Sequence, residues 1–213
     1  MIHFIGTSFA ARHLKAAAIA RGIQTTELLE DASLIFVSED TPTNEKGVRD
    51  LDLIRQLLLF ANGRPIVLTS QVPVGFTRSL GNDSIYHQAE TLRIIDAEDR
   101  ALNPEQIIVG HCGKALPVPP EYMNYLNAFK CPVHWMNWEE AEFSKIAINM
   151  TLISQVKNTN KLHAYAESKG LRWEKIQEVL ETDGRIGKKS YLTPGRWQDS
   201  KHLLRDWVTF EAG

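Results

Sequence analysis

Along the first half of the chain, short apolar runs alternate with longer stretches in which apolar residues recur every three or four positions. Ile2-His3-Phe4-Ile5-Gly6, Leu34-Ile35-Phe36-Val37, Pro65-Ile66-Val67-Leu68-Thr69 and Ile107-Ile108-Val109-Gly110 read as buried strands, because a strand covered on both faces is apolar throughout. Between them, an alanine-rich helix is expected from about Phe9 to Arg21, with Gly22 placed to end it. A second helix is expected from Leu51 to Ala61, with Asp50 as its N-cap. The loop Ser38–Thr43 and the turn-rich stretch around Pro73 and Gly75 separate these elements. Strands alternating with helices imply βαβ units, hence an α/β, Rossmann-like, mostly parallel sheet.

The pattern changes after about Trp135. From Trp138 to Lys169 there is neither proline nor glycine, and Phe143, Ile146, Ala147, Met150, Ile153 and Val156 follow helical periodicity. Gly170 supplies the stop. One helix of this length exceeds the ~10–14 residues usual in globular domains. It needs another surface to cover it, so a homodimer through residues 138–169 is expected. A shorter helix, Trp173 to Glu181, follows. The division expected is a Rossmann-like domain over 1–136 and an all-α dimerisation domain over 137–213.

Charge and composition narrow the function. In 213 residues, Lys and Arg total 24 against 26 Asp and Glu, a formal net charge of -2. That balance argues against binding nucleic acid or an anionic membrane through bulk charge. Two cysteines, Cys112 and Cys131, make no disulfide framework and favour a reducing compartment. The N-terminus has no secretory signature, and no apolar run approaches the ~20 residues that span a bilayer. A cytoplasmic location is expected.

Gly6-Thr7-Ser8-Phe9-Ala10-Ala11 sits where a dinucleotide fingerprint belongs, after a strand and before a helix. The fingerprint calls for Gly-x-Gly-x-x-Gly or Ala, so that backbone N–H groups approach a pyrophosphate at the helix N-terminus. Gly6 and Ala11 fit. Ser8 replaces the second glycine, and its Cβ intrudes where the backbone should come closest. Only about a dozen residues separate Gly22 from Leu34, too few for a further strand and crossover helix. From these residues the turn reads either as purely structural or as a cofactor site. The histidines are scattered and show no zinc-type spacing, so no metal site is expected. Cys112 reads as a strand-end packing residue. Trp135 and Trp138 read as core or interface anchors.

An ordered set of short motifs resembles the UDP-glucose/GDP-mannose dehydrogenases, NAD-dependent oxidoreductases of nucleotide sugars. Thr41-Pro42-Thr43, followed by Asp50-Leu51-Asp52, is similar to the family's TPT...D segment. Ser70-Gln71-Val72-Pro73-Val74-Gly75-Phe76-Thr77 is similar to its STVPxGTT turn. Glu90-Thr91-Leu92-Arg93 and Asn103–Gly110 resemble its PEFLRE stretch and the strand that follows. Ala141-Glu142-x-x-Lys145-x-x-x-Asn149 resembles its AExxKxxxN helix start. Asp183-x-Arg185-Ile186-Gly187, Pro194-Gly195 and Arg205-Asp206 resemble later landmarks.

The resemblance implies a Rossmann domain and a helical dimerisation domain. It also implies NAD or NADP as cofactor and a nucleotide sugar or related hydroxyl compound as substrate. The family's third, nucleotide-binding domain would begin just past Asp206, so it is expected to be absent. For catalysis the resemblance points to Lys145 as acid/base and to Asn149 as holder of the reacting oxygen. It points to Glu90 as the hydrolytic carboxylate and to Asp206 as the acid near the nucleophile. For the cofactor it points to Gly6, Ser8, Ala11, Thr41 and Ser70. The family oxidises an alcohol to an acid through a cysteine thiohemiacetal and thioester. Here His202 falls at the cysteine position, and Gln71 at that of the water-positioning threonine. An imidazole forms no stable thioester, so full oxidation to the acid is expected to be lost. Two functions follow: an NAD(P)-dependent oxidoreductase limited to a single hydride transfer, or a catalytically inactive family remnant serving as a binding or assembly subunit.

Overall fold

A computed structural model describes residues 1–211. Its contacts divide the chain into two units. The first comprises Met1–Asn44 and Arg49–Lys145, and the second comprises Glu45–Val48 and the residues from Ile146 onward.

The first unit is a layered α/β structure. Its elements in order are β1 (Ile2–Ile5), α1 (Phe9–Ala20), β2 (Leu34–Val37), α2 (Asp52–Leu59), β3 (Ile66–Leu68), α3 (Phe76–Ser79), β4 (Ile85–Gln88), α4 (Ala97–Leu102), β5 (Ile107–His111), α5 (Pro120–Ala128), β6 (Val133–Asn137) and the first turns of α6 (Trp138–Ser168). Among the described residues the sheet has six strands, lying side by side in chain order. β1 to β4 are mutually parallel, β5 runs antiparallel to β4, and β6 is parallel to β5. The four strands expected from apolar runs are present. β4 and β6 are additional: β4 carries His87 and Gln88, and β6 is half exposed, so neither has an apolar run to betray it.

Alternation of side chains across the sheet produces two cores. On one face Phe36, Val67, Tyr86 and Val109 pack against Ala17 and Ala18 of α1 and Tyr122 and Tyr125 of α5. Phe36 and Tyr125 lie 4.6 Å apart and Tyr125 and Phe129 4.9 Å, ring centre to ring centre. On the other face Ile35, Val37, Leu68 and Ile85 meet Ile54 of α2 and Phe76 of α3. Each large apolar side chain so buried contributes about 1.5–3 kcal/mol.

β1 is an edge strand. Between α1 and β2 the chain makes only one bridge to it, Thr25 to Ile2. The N–H of Ile2 donates to Gln24 O and the N–H of Thr26 to Ile2 O, both at 3.0 Å. A doubly wound sheet continues beyond its first strand with a further βαβ unit. Here that half is replaced by a short strap, as the spacing from Gly22 to Leu34 requires.

The division between the units falls inside α6, between Lys145 and Ile146, rather than at residue 136. The reason is packing. The Trp138 indole N–H donates to Ile85 O at 2.9 Å. A Cβ on Gly110 would come within 2.7 Å of Ala141 Cβ and 3.0 Å of Trp138 Cα. The opening turns of α6 therefore belong to the sheet.

The second unit holds the rest of α6, α7 (Trp173–Thr182) and α8 (Lys201–Glu211). Ile153, Val156 and Trp173 are buried. The irregular segment after α7 is strapped to α6 by side chains: Thr159 donates to Tyr191 O at 2.8 Å, and Asn160 exchanges two hydrogen bonds with Gly195. Lys157 Nζ lies 3.5 Å from the ring centre of Trp207 and 5.2 Å from that of Trp197, a cation–π arrangement. Among the described residues no helix is long and apolar enough to cross a membrane.

Candidate functional site

The carboxyl ends of β1 to β4 emerge along one edge of the sheet, where open α/β sheets bind ligands. They carry Gly6-Thr7-Ser8, Ser38–Thr41, Thr69-Ser70-Gln71 and Ala89-Glu90. Gly6 has φ 122°, a conformation open to glycine. A Cβ there would fall 1.9 Å from Ser38 O, so β1 turns into α1 hard against the end of β2.

Ser8 is the N-cap of α1. Its Oγ accepts from the Ala11 N–H at 3.0 Å and donates to Ser38 O at 3.0 Å. The hydroxyl that could have met a phosphate is thus engaged inside the protein. Thr41 donates to Gln71 O at 2.8 Å, and buried Arg49 donates to the Thr41 hydroxyl at 3.3 Å. Ser70 Oγ accepts from the Glu39 N–H at 2.7 Å. The Thr7 N–H donates to Glu39 Oε2 at 2.7 Å, and the Thr7 hydroxyl donates to the same oxygen at 3.2 Å. A carboxylate already occupies the place where this turn would meet an anion. As it stands, the turn does not fit a dinucleotide pyrophosphate.

Glu90 follows β4 and is half-buried. Its Oε1 accepts from the Leu92 N–H, and it lines a narrow cleft with Thr69, Gln88, Arg100 and Tyr125. Lys145 is half-buried on α6. In the second unit the structure joins two residues 57 positions apart: buried Asn149 donates through Nδ2 to Asp206 Oδ2 at 2.5 Å. Asp206 is fully buried, and Arg205 donates to its other oxygen at 3.1 Å. His202 sits one turn earlier on α8 with its side chain exposed. Neither cysteine lies in this unit: Cys112 is buried just beyond β5, and Cys131 precedes β6.

Sequence reasoning passed over three groups in the first unit. Glu39 stands directly after Ser38 in the loop beyond β2, and nothing in its local pattern marks it as folding back onto Thr7. Glu142 lay inside the quoted Ala141-Glu142 motif. It is buried, and it accepts from the Gly75 N–H at 2.6 Å and the Thr77 N–H at 2.8 Å. Burial raises its pKa, and these donors oppose the rise. His87 is 2% exposed, its Nδ1 has no hydrogen-bond partner, and burial lowers its pKa to about 4.

Comparison with known proteins bears on this arrangement. Residues 139–205 match the central domain of the UDP-glucose/GDP-mannose dehydrogenase family. UDP-glucose 6-dehydrogenase of Gallus gallus is 29% identical over 193 residues, covering 76% of this chain and 38% of that protein. Over this segment the chain is similar to the UDP-glucose/GDP-mannose dehydrogenase family. It spans well under half the length of that relative. Among solved structures, a ternary complex of GDP-mannose dehydrogenase from Pseudomonas aeruginosa superposes with a TM-score of 0.72 at 15% identity, covering 100% of this chain and 65% of that one. Psf3, solved in complex with NADP+ and 2-OPP, superposes with a TM-score of 0.61 at 14% identity, covering 90% of this chain and 76% of that one. At such identities the likeness establishes the fold: a Rossmann-like sheet followed by helices that include the long α6. Within the family match fall Lys145, Asn149 and His202, with Asp206 one residue beyond its end.

Proposed function

We propose that this chain is a non-oxidising member of the nucleotide-sugar dehydrogenase family that works as a binding or assembly subunit. One observation carries the reading. The unit that brings Asn149 and Asp206 together contains no thiol, and the residue at the family's cysteine position, His202, is an exposed histidine on α8. An imidazole can shuttle a proton but cannot hold an acyl group as a thioester awaiting hydrolysis. What persists of the inherited site is a buried amide–carboxylate pair, suited to holding a hydroxyl-bearing ligand and lacking the nucleophile for its oxidation.

The partner we propose is a second copy, met through α6. Leu162 and Tyr165 on that helix are exposed at 44% and 63%, and large apolar side chains on a long helix call for cover. Hydride transfer is the direct test. The chain, incubated with NAD or NADP and either UDP-glucose or GDP-mannose, should give no rise in reduced-nicotinamide absorbance. Turnover with either sugar overturns the reading.

A further inference from the structure

We propose that Glu39 closes the anion-binding turn of α1 from within, so that the chain takes up neither NAD nor NADP there. The inference rests on the non-oxidising reading and supplies a physical cause for it. A Rossmann turn binds pyrophosphate because backbone N–H groups and the positive end of a helix converge on one spot. In this chain the Thr7 N–H and Thr7 hydroxyl both donate to Glu39 Oε2, at 2.7 and 3.2 Å. The Asp40 N–H donates to the other carboxylate oxygen at 3.2 Å. The main chain of Glu39 is fixed in turn, its N–H donating to Ser70 Oγ at 2.7 Å at the end of the next strand.

The carboxylate is thus held by groups that follow β1 and β2, and its main chain by Ser70 after β3. It is also close to the turn's backbone: a Cβ on Gly6 would lie 3.4 Å from Glu39 Oε2. An incoming pyrophosphate would have to displace Glu39, break these bonds and then face its negative charge. Ser8, whose hydroxyl is committed to Ser38 O and the Ala11 N–H, offers no substitute donor. The strap beyond β1 contains no strand on which a ribose-binding acid could stand. Charge and topology therefore exclude a dinucleotide independently.

The test is calorimetry on the full chain, wild type and Glu39→Ala, with NAD and with inorganic pyrophosphate. The wild type should give no binding heat with NAD and should bind pyrophosphate at least about tenfold more weakly than Glu39→Ala, whose affinity should fall as salt rises. NAD binding by the wild type without turnover overturns the inference and leaves the functional reading in place. Absence of pyrophosphate binding by a folded Glu39→Ala overturns the role of Glu39 alone. Should Glu39→Ala not fold, Glu39→Gln keeps an acceptor for the Thr7 N–H without the charge and is held to the same pyrophosphate criterion.

Discussion

At the scale of single residues, buried titratable groups set how stability depends on pH. His87 has its pKa lowered from 6.5 to about 4 by burial. Between those values the unfolded chain binds a proton that the native chain refuses. The contribution is therefore complete above about pH 6.5 and is lost as pH falls toward 4, amounting to roughly 3 kcal/mol. Chemical denaturation of wild type and His87→Leu at pH 7 and pH 5 should show the wild type losing stability on acidification and the variant losing markedly less. Glu142 has the opposite sign. Its folded-state pKa is raised, so its contribution is complete below the unfolded carboxyl value and is lost as pH rises through the folded one. Glu142→Gln removes that dependence. It also leaves one of the two N–H groups, Gly75 or Thr77, facing an amide donor, a cost of about 1–3 kcal/mol, measurable as a lower midpoint in urea at pH 7. The histidine and the glutamate were visible as letters, but their burial was not, because burial depends on what other segments place over them.

At the scale of elements, the strands that sequence reasoning found are those whose residues are mostly apolar; β4 is buried throughout yet carries His87 and Gln88, so its burial left no apolar run. β2 is wholly buried and was evident, whereas β6 is half exposed and was not. α6 was legible for a different reason: the absence of proline and glycine from Trp138 to Lys169 leaves nothing to break it, and Gly170, at φ 66°, ends it. How its opening turns pack was not legible. Gly110 lies in β5 where Ala141 and Trp138 press on the sheet, and an added methyl would meet Ala141 Cβ at 2.7 Å. Gly110→Ala should lower stability by about 1–3 kcal/mol, seen as a reduced thermal midpoint. A wild-type midpoint would mean that α6 yields freely and does not hold the sheet.

At the scale of the whole molecule, the family resemblance was legible because its landmarks recur in order along the chain, although each is only a few residues long. Asn149 and Asp206 were named from the resemblance, and the fold joins them at 2.5 Å. The glycine turn between β1 and α1 was evident from the sequence, but the carboxylate that meets it comes from a loop some thirty residues away. The proposed dimer is tested at this scale. Sedimentation of the wild type at micromolar concentration should give twice the mass of the 213-residue chain. Leu162→Glu with Tyr165→Asp should shift it to the monomer, because each charge would be desolvated at the interface. A monomeric wild type overturns the interface.

The sequence by itself determined the α/β character, the long helix and the shortened strap beyond β1, because periodicity, breakers and spacing are local properties of a chain. Only the tertiary structure decided that Glu39 reaches Thr7, that Glu142 reaches the Gly75 and Thr77 amides and that the unit boundary lies within α6. Those outcomes depend on which distant backbone groups are left without partners once the sheet has formed, and on which side chain arrives to satisfy them.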